Sequence, residues 1–193
     1  MKKLIISLAL ASAAIAGPVA AQTLPPAVIV VVDMEEVIAS SAAGKQAQTE
    51  LKTRFDAIQS RVNSLRTSFG TEEQTLLKSR PAPTSPPATI TAWEGKVKDF
   101  QTRKTAAEQD LGKREQDFQT ARQYVLKQIT DGAQPHITAV MKERGATIAM
   151  PELATLQHTA GIDVTADIIA RLDKSLPRVS TTPPAGTAPA PAK

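Results

Sequence analysis

The chain has 193 residues, with 23 basic and 19 acidic side chains, a formal net charge of +4, 3% aromatics and no cysteine. Without thiols there are no disulfides and no cysteine nucleophiles, so any core is held by packing alone. The two histidines, His136 and His158, stand in no metal-ligand spacing, and no nucleophile elbow or glycine-rich nucleotide fingerprint occurs; this excludes the common enzyme and cofactor-binding classes and points to a binding protein.

Residues 1–21 open with Lys2 and Lys3, continue as an apolar run from Leu4 to Ile15, and end in small residues, Ala16, Gly17, Ala20 and Ala21. This is the pattern of a cleaved secretory signal. The run is shorter than the roughly 20 residues that span a bilayer, which weighs against the competing reading, a retained anchor. Leu24-Pro25-Pro26 is an extended lead-in. Ala27 to Val32 is a continuous, largely β-branched run without polar alternation, which predicts a strand buried on both faces. Asp33 can cap a short helix from Met34 to Ala39. Glu35 and Glu36 fall in its first turn, where the helix dipole favours acids. Ser40 to Lys45 breaks that helix. Its Gly44-Lys45 pair lacks the flanking Gly and Ser/Thr of a phosphate-binding loop and reads as a serine cap at a tight corner.

From Gln46 to Gln128 the chain reads as two long helices folded back on each other. Leu51, Phe55, Ile58, Val62, Leu65 and Phe69 recur in steps of four and three, a heptad seam. A second seam runs through Trp93, Val97, Phe100, Ala107, Leu111, Phe118, Ala121 and Val125, but Lys104 and Arg114 fill two of its positions. Those cations either snorkel out or loosen the seam. Ser79 to Pro87 lies between, rich in proline, and cannot continue a helix. Two seams joined by a breaker predict an antiparallel hairpin, with helices over about Gly44–Lys78 and Thr89–Glu143. At about 1.5 Å per residue they span roughly 50 and 80 Å. The excess beyond about Thr130 has to enter a body, and Pro135 should kink or break the helix there.

Gly145 ends that helix. Ala146–Met150 and Leu153–Gln157 are strand candidates separated by Pro151-Glu152. A last amphipathic helix covers about Ala166–Ser175, with Ile168, Ile169 and Leu172 on its buried face and Asp163 or Thr165 as cap. His136 and His158 read as surface or interface residues. Pro177 to Lys193 is Pro, Ala, Thr and Gly with almost no large apolar residue, and is expected to be disordered. The expected organisation is a signal over 1–21, body over 22–43, arm over 44–130 with its turn at about 79–88, body again over 131–176, and a tail over 177–193.

Charge is uneven along this plan. The two arm segments, Gly44–Arg80 and Thr89–Thr130, hold 15 basic and 10 acidic residues. A basic arm can meet anionic partners, or can be a solvated coiled-coil surface with both signs interspersed. The body is small, so a single copy is poorly buried and leaves sheet edges open; oligomerisation is the remedy.

The order of parts resembles the Skp/OmpH family of periplasmic chaperones from about Ala27 to Leu176. The residues that carry the resemblance are Val-Val-Asp33 followed by Ser41-Ala-Ala-Gly44-Lys45, then Gln134-Pro135 with Ile137, Ala139 and Val140. Glu143-Arg144-Gly145 before a strand, and Asp163-Val-Thr165-Ala-Asp-Ile168-Ile169, complete it. The proline-rich turn and the Pro/Ala tail depart from the family pattern. The resemblance implies an α+β fold: a long antiparallel coiled-coil hairpin projecting from a small sheet body that forms an intersubunit barrel in a homotrimer. It implies an ATP-independent periplasmic holdase, without a cofactor, that shields unfolded outer-membrane proteins in a cavity between arms. It also implies contact with anionic lipid or lipopolysaccharide, although no motif carries that site, and no nucleic-acid partner. Arg54, Arg61, Arg66, Lys96, Lys98 and Arg103 are the expected source of a positive field for clients. The competing expectation is a structural coiled coil, a spacer or adaptor of the cell envelope.

Overall fold

The computed structural model describes residues 26–184. The expected signal over 1–21 and the last part of the tail lie outside the described residues. The elements in order are β1 (Ile29–Val32), α1 (Met34–Ser40), α2 (Ala42–Lys78), α3 (Pro87–Arg144), β2 (Ile148–Pro151) and α4 (Thr165–Ser175). Two short 3-10 turns, Glu152–Ala154 and Ala160–Ile162, lie between β2 and α4.

Each boundary has a local cause. The Asp33 side chain accepts from the Glu36 amide at 3.0 Å and starts α1. Ser41 accepts from the Gly44 amide at 3.2 Å and starts α2, whose Ala42 amide also donates to Asp173 of α4 at 2.7 Å. The corner is tight. A Cβ on Gly44 would fall 1.6 Å from the Ile38 carbonyl oxygen, so only glycine lets α1 and α2 approach this closely. Pro81 and Pro83 lie in the turn, and Pro86 and Pro87 take the N-cap and first position of α3, where a missing amide costs least. Gly145, at φ 64°, closes α3.

α2 has 37 residues and α3 has 58, about 55 and 87 Å at the usual rise. They pair antiparallel as the arm. The surplus of α3 runs into the body as expected, but Pro135 does not end it: α3 is one helix through that residue. Proline removes one ladder bond, and neighbours on both sides compensate. Ala133, Ile137 and Val140 are packed into the core, and His136 Nε2 lies 2.7 Å from Ser175 Oγ of α4.

The sheet has two strands. β1 and β2 run parallel, with Ile29 opposite Ile148 and Val32 opposite Pro151, and Val31 makes one further bridge to Asp163. Val30, Val31 and Val32 are buried, in accord with the apolar run. The third strand expected over Leu153–Gln157 is not formed. That stretch begins as a 3-10 turn and continues as an open loop, with Leu153 and Leu156 81% and 104% exposed. Within one chain the stretch does not pair with the small sheet, and local strand propensity alone does not make a ladder.

The core lies at the root of the arm. Val30, Val32 and Val37 pack with Ala43, Ala47, Val125, Ile129, Ala133, Val140, Ile168 and Leu172. α4 enters it by the face expected, and Asp163 accepts from the Thr165 amide at 2.9 Å. Thr165 in turn accepts from the Asp33 amide at 2.9 Å, tying α4 to the end of β1.

Candidate client-binding surface of the arm

The hairpin is held by a single seam. Phe55 meets Phe118 with ring centroids 6.0 Å apart, and Phe69 meets Phe100 edge-on at 5.7 Å. Near the turn, Trp93 Nε1 donates to the Leu76 carbonyl at 3.0 Å, and Arg80 lies over the indole at 5.8 Å. Two paired helices cover each other on one side only, so most seam residues are half-buried. Phe55 remains 46% exposed and Leu77 66%. The seam cations resolve differently. Lys104 is half-buried. Arg114 turns out of the seam onto Asp110 at 2.8 Å. Asp110 is held below the ordinary carboxylate value chiefly by that hydrogen bond, with the charges of Arg114 and then Arg61 adding to it.

At the arm's inner end an open apolar groove of about 500 Å³ lies between the helices. Leu51, Phe55, Phe118 and Leu126 line it, with Lys52 and Arg122 at its margin. Grease edged by cations is chemistry that holds an unstructured chain loosely.

The six cations expected to serve clients are spread along the arm and do not form one patch. Arg61, Arg66, Lys96 and Lys98 are exposed. Arg103 is engaged: it forks onto both carboxylate oxygens of Glu72 on α2, one at 3.0 Å, and reaches Asp99 at 2.8 Å. Its guanidinium is held above the ordinary arginine value, first by the Glu72 hydrogen bonds and then by Asp99. Arg103 therefore staples the helices as well as charging them.

Arg54 is engaged more fully. Its Nη1 donates to the Thr181 carbonyl at 2.8 Å, and its Nη2 reaches Thr181 Oγ1 at 2.9 Å and Thr182 Oγ1 at 3.0 Å. The start of the tail, expected to be disordered from Pro177, is thus laid against the arm. Val179 and Thr181 are buried, at 7% and 4% exposure. The sequence carried one signal for this: Val179 is the only large apolar residue beyond Leu176. Gly132 helps, since a Cβ there would lie 2.8 Å from Leu176 Cδ2 and push the tail's exit off α3. Glu50 accepts from Thr181 Oγ1 at 2.7 Å and is held below its ordinary value by that bond first and by Gln46 second.

Among the described residues, no group of three or more His, Cys, Asp or Glu side chains could hold a metal ion, and no helix is long and apolar enough to cross a membrane.

A long two-helix arm on a small α/β body defines the class of protein. The chain belongs to the family described as outer membrane protein (OmpH-like), whose pattern matches residues 28–172. A solved structure from Caulobacter crescentus CB15, described as a candidate outer membrane chaperone of OmpH-like type, shares the fold with a TM-score of 0.67. It is 18% identical, and the match covers 81% of this chain and 90% of that one. No curated protein matches.

Proposed function

We propose that this chain is a periplasmic chaperone, an ATP-independent holdase that keeps unfolded outer-membrane proteins from aggregating in a cavity between helical arms. The observation that carries the reading is the arm itself. Outward of their buried root, the paired helices of 37 and 58 residues leave half-buried grease and exposed cations. Such a surface offers many weak contacts and no tight anchor, which suits a protein that must release what it holds. Family membership and the likeness to the Caulobacter protein point the same way.

The working form is a homotrimer with a shared barrel. Exposed Val28, Ile148, Leu153 and Leu156 gather about the small sheet, and a two-stranded sheet is too small to stand alone. Copies of the chain joining there would cover these residues. Arg61, Arg66, Lys96 and Lys98 supply a positive field for acidic clients, and its effect weakens with salt. Arg54 and Arg103 contribute less, being engaged within the chain. Anionic lipid or lipopolysaccharide would meet the same cations.

The test is to dilute a denatured outer-membrane barrel protein into buffer with the mature chain at stoichiometric trimer. Suppressed aggregation without nucleotide, together with a trimer mass by light scattering, is expected. Unchanged aggregation removes the chaperone and leaves an envelope spacer, which a single stoichiometric folded partner in a native pull-down would identify.

A further inference from the structure

The tail does not merely rest on the arm; it is read through its main chain. The Val179 amide donates to Gln46 Oε1 of α2 at 3.1 Å, and the Ser180 amide donates to Gln128 Oε1 of α3 at 3.1 Å. Gln128 Nε2 donates back to the Ser180 carbonyl at 2.8 Å, and Arg54 Nη1 to the Thr181 carbonyl at 2.8 Å. None of these four bonds depends on which side chain the bound segment carries. The segment alternates: Val179 inward among the core residues, Ser180 outward, Thr181 inward onto Glu50 and Arg54. Main-chain bonds for affinity and pockets at alternate side chains for selectivity are how proteins bind extended peptides.

We propose that the cleft formed by Gln46, Glu50 and Arg54 of α2 with Gln128 of α3 is a binding site for extended polypeptide, occupied in this chain by its own residues 179–182. Its ligand is a strand-like segment with an apolar residue at one inward position and a hydroxyl at the next. An unfolded barrel strand supplies the extended main chain, and one with threonine two residues after an apolar residue fits both seats. The inference rests on the chaperone reading and adds a defined site to it. A tethered tail competes at high effective concentration, so it acts as a built-in stand-in that an abundant client segment displaces.

The experiment uses the full chain and a labelled peptide of residues 177–184, followed by fluorescence anisotropy. Two variants release the tail: Val179→Asp places a charge in the apolar seat, and Ser180→Pro removes the amide that Gln128 accepts from. Both are expected to bind the peptide at least tenfold tighter than the native chain, and adding Arg54→Ala should abolish the gain. Equal binding by native and released chains, or a gain that survives Arg54→Ala, overturns the site. Should both variants unfold by circular dichroism, amide exchange on the native chain decides. The Val179 and Ser180 amides should exchange far faster than those of Ile168 and Leu172; equal protection makes the tail a fixed part of the core and overturns the proposal. Aggregation of a denatured barrel protein is measured in parallel. Suppression without peptide binding sinks this site and leaves the holdase. Peptide binding without suppression does the reverse.

Discussion

The root of the arm and its outer length are built from the same two helices, yet they are held differently. At the root, Ile129, Ala133, Ile168 and Leu172 are fully buried, because α1, α4 and the sheet cover α2 and α3 from several sides. Farther out, each helix has only the other. Phe100 is the best-buried side chain there, and its partner Phe69 is half-exposed. Burial per residue sets local stability, so the outer arm should open by itself while the root opens only with the whole body. The difference divides the molecule: the root keeps the shape, and the arm leaves its seam half-open to solvent.

The largest effect is expected at the root. Leu172→Ala empties a fully enclosed site between α4, α3 and α1, and changes of this kind cost about 2–5 kcal/mol. The melting temperature followed by circular dichroism should fall by many degrees, and the shift should lie in the body's transition. A loss confined to the arm would mean that the two regions are not divided as burial indicates.

A smaller, local effect is expected from Phe100→Ala. A core phenylalanine costs about 3–5 kcal/mol on truncation, but the ring packed against Phe100, Phe69, is itself half-exposed, so a loss below that range is expected. The chain's single tryptophan, Trp93, sits near the turn and reports on the outer arm alone. In urea its emission should change before the backbone signal does, and Phe100→Ala should widen the gap. Coincident transitions for both probes would show that arm and body are one cooperative unit.

Glu72→Gln ranks third. It replaces one charge of the Arg103 fork, on a surface where ion pairs are screened and weak. The expected change is faster amide exchange around Glu72 and Arg103 at low salt, with no shift in the melting of the body. The difference should vanish in molar salt; if it persists there, packing rather than charge holds that crossing.

Much of this division was legible in the residues. The four-three steps from Leu51 to Phe69 locate the seam, and the prolines from Pro81 to Pro87 locate the turn, because both signals are local. Asp33, Ser41 and Gly145 mark helix ends by chemistry that acts within one turn. Three features escaped such reading. Pro135 is carried inside α3 because tertiary packing outweighs one lost bond. Leu153–Gln157 had strand composition but stays unpaired within a single chain. The seat of Val179 depends on Gln46, Arg54 and Gln128, side chains distant in sequence that meet only once the hairpin has closed. The last case is the most instructive for the site: a polar cleft leaves no periodic mark.

The smallest effect concerns the loop that joins body to last helix. His158 Nε2 lies 3.0 Å from Glu152 Oε1, and its Nδ1 lies 3.3 Å from the Thr159 carbonyl. The Glu152 hydrogen bond first, and the carbonyl second, raise the imidazole's pKa above its ordinary value. A group whose folded pKa is raised binds its proton more tightly in the folded state. Its contribution is therefore fully present below the unfolded value of about 6.5 and is lost as pH rises through the folded value. The loop over 152–159 should be tighter at mildly acidic pH and looser above neutrality, while the buried root does not change. An NMR titration of the His158 ring should show the raised pKa, and Glu152→Gln should return it toward the ordinary value. An unshifted titration, or one indifferent to Glu152, would leave that loop without its latch and place any pH response elsewhere in the body.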